Sequence, residues 1–142
     1  TNTTSLFLAT KYILPLLKKG KNANIVNSAS INGIRGVKNM IAYATSKSAL
    51  TSFTASLALD LAKFKIRVNA VAPGATRTNM VLSLKKEINN NKLFNQRMLD
   101  AHPIGRIAKP EEVAKTIMFL ASEDASFVNG IVLPVDGGRS IR

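Results

Sequence analysis

Cysteine is absent from these 142 residues and histidine occurs once, at His102. The first absence excludes disulfides and thiolate metal sites and agrees with a reducing cytoplasm, the expected location. The second argues against a histidine-based triad or a multi-histidine metal centre. Acidic residues are scarce: 8 Asp and Glu stand against 20 Lys and Arg, for a formal charge of +12, and none precedes Asp60. No run is apolar enough for a membrane span, since the best candidate, Ser5–Leu17, is short and interrupted by Lys11 and Pro15. No signal-peptide pattern is visible within these residues.

An excess of positive charge raises the question of nucleic acid. The basic residues are scattered, however, at Lys18, Lys19 and Lys21, at Lys63, Lys65 and Arg67, and at Lys85 and Lys86. The first two groups fall at predicted helix ends, where the macrodipole favours cations. No aromatics interleave with them, as a nucleic-acid groove would need. The expectation is a small-molecule enzyme with neither nucleic-acid nor membrane partner.

With 46% hydrophobic and 20% charged residues, the chain has the composition of an ordinary globular domain. Its length suits one domain with a real core. It begins with Thr inside a helical pattern, as expected of a fragment. Apolar residues predict a helix over Thr3–Lys19, bent or ended early by Pro15, and a short buried strand over Asn24–Ser28. A glycine-containing loop follows, over Ser30–Met40. The strongest helix is Ile41–Phe64, with Leu50, Phe53, Leu57 and Leu61 on one face towards a sheet. A second strand, Ile66–Ala72, is stopped by Pro73-Gly74. Helices are expected near Met80–Lys86 and Leu93–Leu99, separated by Asn89–Asn91, and from Pro110 to about Ser122, where Pro and two Glu open the first turn. Ile131–Val135 is the third strand. This alternation predicts an α/β fold with a doubly wound parallel sheet.

In such sheets, ligands bind beyond the carboxyl ends of the strands. Ser28–Ser30 and Pro73-Gly74 follow two of those ends, and Tyr43 and Lys47 open the helix between them. Tyr43 and Lys47 lie four apart, on one helix face. A free phenol, with a pKa near 10, is a poor catalyst at neutral pH, but a neighbouring ammonium stabilises its phenolate. The pair could then exchange a proton with a substrate oxygen; alone, it reads equally well as a surface Tyr and a solvated Lys. A hydroxyl at Ser30 could polarise a carbonyl, or simply bond the local backbone.

Taken together, these residues carry a resemblance. Ser30 is followed thirteen residues later by Tyr43-x-x-x-Lys47, and Asn2 lies twenty-eight before Ser30. Asn69-x-x-x-Pro73-Gly74-x-x-x-Thr78 follows, then Gly105-Arg106, Pro110-Glu111-Glu112-Val113-Ala114, Phe119–Ser122 and Asp136-Gly137-Gly138. In this order the motifs resemble the single-domain branch of the short-chain dehydrogenase/reductases, over essentially the whole chain. The resemblance implies a Rossmann-like domain, of which residues 1–142 are the C-terminal part, and hydride transfer between NAD or NADP and a carbonyl or secondary alcohol. It implies that Tyr43 is the general acid or base, that Lys47 assists it and holds the nicotinamide ribose, and that Ser30 orients the carbonyl. By the same likeness, Asn2 holds a water in the proton relay, and Pro73, Gly74, Thr76 and Thr78 place the nicotinamide carboxamide. Asn32 and Met40 are expected to contact substrate, with 79–101 as a mobile lid. Homodimers or homotetramers are implied, paired through the two long helices.

One departure stands out. The family's Thr-Gly-x-x-x-Gly-x-Gly phosphate loop is missing, since no three of the 8 glycines have that spacing. NAD and NADP therefore cannot be told apart from these residues. The rival expectation is a non-catalytic fragment that serves only as an assembly module.

Overall fold

The structure, a computed structural model, describes residues 2–142, with the side chain of Arg97 left aside. Helix α1 (Asn2–Leu17) leads into strand β1 (Asn24–Ser28), a 3-10 turn (Ile31–Gly33) and helix α2 (Ile41–Ala62). Strand β2 (Arg67–Pro73), helices α3 (Asn79–Ile88), α4 (Asn91–Met98) and α5 (Pro110–Ala121), and strand β3 (Val132–Val135) complete the order. The three strands form one parallel sheet in the order β1-β2-β3, with Asn24 opposite Arg67 and Pro73 opposite Val135. Parallel pairing requires crossovers, and α2 supplies one between β1 and β2.

The predicted elements are present, with shifted ends. Pro15 sits inside α1 rather than ending it early: the helix runs on to Leu17. Pro73 closes β2 as its last paired residue instead of lying beyond it, the strand-end position that its missing N–H permits. The break between α3 and α4 comes at Asn89, whose φ of 43° is left-handed, a conformation Asn tolerates better than most residues.

One packing expectation is corrected. The residues that α2 buries are Leu50, Thr54, Ala58 and Leu61. Phe53 and Leu57 are only half-buried and turn towards α1, where the Phe53 ring meets Phe7 edge-on, with centroids 4.7 Å apart. The stripe facing the sheet includes a small residue and a hydroxyl because the hydroxyl is satisfied. Thr54 donates to the Leu50 carbonyl at 2.8 Å and accepts from buried Asn27 of β1 at 2.9 Å. Ala58 and Leu61 pack with Ile66 and Val68, and Leu14 and Leu17 of α1 join that cluster.

Helix α5 lies against all three strands and covers the opposite face. Its first turn is capped by Glu112, which accepts from the Lys109 N–H at 2.7 Å and takes a two-pronged bond from Arg106. That guanidinium holds the Glu112 carboxyl down to about 2. At the other end, orphan carbonyls of the helix terminus find side-chain donors. Arg67 donates to the carbonyls of Leu120 and Ser122 at 2.9 and 3.0 Å, and Asn24 to that of Ala121 at 2.9 Å. Arg67, counted among the basic residues of the sequence, is thus a structural brace between β2 and α5.

Candidate active site

The carboxyl ends of β1, β2 and β3 lie side by side and release Ser28, Pro73 and Val135 into three loops. The first loop turns at once. Ser30 is extended and caps the 3-10 turn: its Oγ accepts from the Asn32 N–H at 3.2 Å. The local backbone bond expected of a loop serine is therefore made, yet a hydroxyl that accepts there keeps its own hydrogen to donate elsewhere. Ser30 is buried, 7% exposed.

The turn then presses on α2. A Cβ at Gly33 would lie 2.6 Å from the carbonyl carbon and oxygen of Lys47, so this approach requires glycine. Ser48 Oγ donates to the Gly33 carbonyl at 2.8 Å. From the same helical turn, Lys47 Nζ donates to the Ser28 carbonyl at 2.9 Å and lies 5.9 Å from the centre of the Tyr43 ring. Burial holds the Lys47 ammonium below the usual lysine range. One of its three N–H bonds is spent on Ser28, which leaves two.

Asn2 joins the same end of the sheet from α1. Its Nδ2 donates to Ser46 Oγ at 3.0 Å, and Ser46 Oγ donates to the Tyr43 carbonyl at 2.8 Å. Ser46 was not singled out by sequence reasoning, although its place three after Tyr43 puts it on a neighbouring helix face. Asn2 is thus tied to Tyr43 through Ser46, and Lys47 to the residue two before Ser30, around the carboxyl end of β1.

Two predicted substrate residues fare differently. Asn32 lines an open hollow with Ile41, Ala44, Thr45 and Ser48. At 100° per residue that face of α2 points away from Tyr43 and Lys47, while the Asn32 N–H bonds Ser30 Oγ. Met40 is the residue before α2 and is 40% exposed. In the segment 79–101, expected as a lid, Phe94 and Val81 are buried while Met80 stands in solvent.

The second loop is held by its backbone. Gly74 N–H donates to Val135 at 3.0 Å, Ala108 N–H to Ala75 at 2.9 Å, and Arg77 N–H to Ala108 at 2.9 Å. Thr76 Oγ1 donates to the Gly74 carbonyl at 3.3 Å, and the exposed Thr78 precedes α3 with no side-chain capping bond. On the β3 side of this turn a cavity of about 340 Å³ opens between Ala75, His102, Ile104, Val135 and Asp136. Sequence reasoning attached no role to His102 or Asp136, because no local pattern reveals that β2 and β3 bring their loops together.

The donor set suits one end of a dinucleotide. Lys47 offers free N–H bonds for ribose hydroxyls, and the Pro73–Thr78 turn offers backbone and hydroxyl groups for an amide. Among the described residues there is no glycine-rich turn of the predicted spacing for a pyrophosphate. The residues therefore fit the nicotinamide riboside half of NAD or NADP and not the phosphates. No helix among them is long and apolar enough to cross a membrane.

Comparison with known proteins agrees with this geometry. The family model described as enoyl-(acyl carrier protein) reductase matches residues 1–140. Levodione reductase of Leifsonia aquatica is 35% identical over an alignment of 141 residues that covers 98% of this chain and 53% of that protein. The ligand-free structure of aldohexose dehydrogenase from Thermoplasma acidophilum superposes with a TM-score of 0.90 at 37% identity, covering 100% of this chain and 57% of that one. A candidate 2-deoxy-D-gluconate 3-dehydrogenase from Agrobacterium tumefaciens, solved with bound NADP, has a TM-score of 0.87 at 34% identity, covering 99% of this chain and 56% of that one. The chain spans about half the length of the curated relatives it matches.

Proposed function

From the premise that this chain belongs to the short-chain dehydrogenase/reductase family, we propose that it forms the substrate-handling part of a single NAD(P)-binding domain, one that interconverts a carbonyl and a secondary alcohol. The observation that carries this reading is the Lys47 bond to the Ser28 carbonyl, made while the same helical turn packs on Gly33. It supports a site in which Ser30, Tyr43 and Lys47 act together at one end of the sheet, where an α/β fold binds ligands.

In the reducing direction, Ser30 donates a hydrogen bond to the substrate carbonyl oxygen and orients it. Held by Lys47 and the Pro73–Thr78 turn, a nicotinamide would supply the hydride for the carbonyl carbon. Tyr43 gives its hydroxyl proton to the substrate oxygen, and the C=O bond becomes C–OH as the tyrosine becomes phenolate. The Lys47 ammonium balances that charge, and its remaining N–H bonds hold the ribose. Asn2, braced by Ser46, holds the water that returns a proton to the site. Pro73, Gly74, Thr76 and Thr78 seat the carboxamide. Oxidation of an alcohol runs the same steps backwards. The pyrophosphate turn belongs to the part of the domain outside residues 1–142. Met40 borders the substrate entrance. The relatives differ in substrate by name, from levodione to aldohexoses, so the substrate class stays at carbonyl or alcohol.

Assembly follows from the helices. Phe7, Tyr12 and Leu16 of α1 and Leu59 of α2 are exposed, and a groove of about 650 Å³ between the two helices is lined by Phe7, Leu14, Phe53 and Leu57. A second copy covering them across a two-fold axis gives the homodimer or homotetramer. The same face favours the rival reading, an assembly module without catalysis.

The test is kinetic, on the full-length protein. Tyr43→Phe should lower turnover roughly 10²- to 10⁴-fold with cofactor binding retained, whereas Lys47→Ala should weaken both. Full turnover in Tyr43→Phe would assign the proton transfer to another group. Absence of any nicotinamide-cofactor binding by the parent would favour the assembly module.

A further inference from the structure

His102 takes no part in the chemistry above, yet it is 3% exposed and both of its ring nitrogens are engaged. Nε2 accepts from the Ala75 N–H at 3.1 Å, and Nδ1 faces the Met98 carbonyl at hydrogen-bond distance. A carbonyl only accepts, so the ring proton belongs on Nδ1, which leaves the Nε2 lone pair for Ala75. Both partners select the same neutral tautomer. The fit is tight: a Cβ at Gly74 would come within 2.9 Å of Nε2 and 3.0 Å of the Asp136 Cα. The imidazole has room only because residue 74 is glycine.

We propose that His102 is a positioning residue, a latch that ties the end of α4 to the Pro73–Thr78 turn, so that the lid and the cofactor-facing loop hold one geometry together. The roles of lid and loop rest on the function proposed above; the latch itself does not. The turn leaves β2 with the Gly74 bond to Val135, and its later backbone bonds go to Ala108. Between them, the Ala75 N–H is held by a side chain from just beyond the far end of the lid. The lid is held in return through the Met98 carbonyl in the last turn of α4.

The charged surroundings keep the ring neutral. Asp136 lies on the β3 side, its carboxylate already accepting from the N–H groups of Gly138 and Ser140 at 3.0 and 2.6 Å. Arg139 lies beyond it, Arg106 and Glu112 pair with one another at the wall of the shared cavity, and the Arg142 guanidinium donates to the Asp100 carbonyl. Burial dominates and holds the imidazole below its ordinary range; the Met98 carbonyl and Asp136 oppose it, and Arg139 reinforces it. Protonation would set a second ring N–H against the Ala75 N–H. The folded value is depressed, so the stability due to the latch is complete above the ordinary histidine value of about 6.5 and is lost as pH falls through the folded value.

The experiment uses the intact protein labelled with ¹⁵N, its His102 ring signals assigned by their loss in H102Q. The expected ring carries its proton on Nδ1 with Nε2 as acceptor; a proton on Nε2 at neutral pH would overturn the proposal. Amide exchange supplies the second arm. The Gln carbonyl reaches the Nε2 position, whereas Asn stops at Nδ1. Exchange at Ala75 should stay slow in H102Q and quicken roughly 5- to 10-fold in H102N and H102A, as befits one lost hydrogen bond. Unchanged Ala75 exchange in H102N would also overturn it. The cofactor KM should rise in H102N with kcat less affected and return in H102Q; a merely structural histidine would lower stability in all three and leave that split unmoved. Slow exchange restored by H102Q in a parent that shows no nicotinamide-dependent turnover would uphold the latch and sink the dehydrogenase reading instead.

Discussion

Strand β2 and helix α1 are both apolar, and they end in opposite environments. From Val68 to Ala72 β2 is fully buried at 0% exposure, whereas α1 contains no buried residue at all. The strand is paired on both sides and covered on both faces, by α2 and by α5. The helix leans on α2 along one stripe, through Phe7 and Leu14, and leaves Tyr12 and Leu16 about 70% in solvent (73% and 68%). Equal apolarity therefore has two uses here. In β2 it holds this chain together; in α1 it is surface that this chain does not cover itself. The candidate site lies where the two regimes meet, with Ser30, Lys47 and the Pro73-Gly74 turn anchored on the buried side and Asn2 on the exposed one.

The contrast can be attacked at its strongest point. Ile66→Ala removes a side chain that is 1% exposed in the cluster under β2, and it should cost about 2–5 kcal/mol in denaturant unfolding. Leu16→Ala on α1 should stay within about 0.5 kcal/mol at low protein concentration. Similar losses at the two positions would erase the distinction.

A smaller effect is expected at Asn69, which is fully buried in the middle of β2 and points away from the α2 face. Its Nδ2 donates to the Val128 carbonyl at 2.8 Å, and its Oδ1 accepts from the Ile131 N–H at 3.1 Å. It thereby pins the approach to β3. Asn69→Ala removes both bonds, each worth about 0.5–1.5 kcal/mol net, while Asn69→Asp should lose more, because a carboxylate there is buried and faces the Val128 carbonyl. A melt unchanged in Asn69→Ala would mean that water satisfies both groups.

The exposed side is probed by association rather than by unfolding. Tyr12→Lys and Leu59→Lys should leave the monomer folded and shift sedimentation of the full-length protein from dimer or tetramer to monomer. An unaltered assembly would place the interface elsewhere.

The smallest effect belongs to Glu112, the exposed cap of α5. Its folded value of about 2 lies below the ordinary 4.5, so its contribution is complete above 4.5 and is lost as pH falls towards 2. Solvent screens the pair. Glu112→Gln should therefore flatten the acid dependence of stability in that window and leave the neutral melt almost unmoved; equal slopes in both proteins would show that the pair contributes nothing.

Much of this was legible in the chain. The strand Asn24–Ser28 was read to the residue, because the adjacent apolar pair Ile25 and Val26 ends at a serine-rich loop. Tyr43 and Lys47 share a face because helical spacing puts them there. The stripe of α2 was misread because hydrophobicity favours Phe53 and Leu57 over Thr54 and Ala58. Burial was decided by distance to the sheet and by Asn27, which satisfies the Thr54 hydroxyl from a strand far away in sequence. Asn32 looked well placed by proximity to Ser30; its N–H does bond the Ser30 hydroxyl, and it also borders the hollow on the other face of α2.

The sequence by itself determined the elements, the parallel order that their alternation demands, and the spacing of Asn2, Ser30, Tyr43 and Lys47, because these depend on local dihedral preferences and on periods of two and 3.6 residues. Only the tertiary structure decided which partners those residues would meet. Lys47 reaches the Ser28 carbonyl because Gly33 lets the first loop press on α2. His102 reaches Ala75 because Gly74 and the pairing of β2 with β3 open a slot for an imidazole. Such meetings depend on steric closeness between segments distant along the chain, and no local pattern records them.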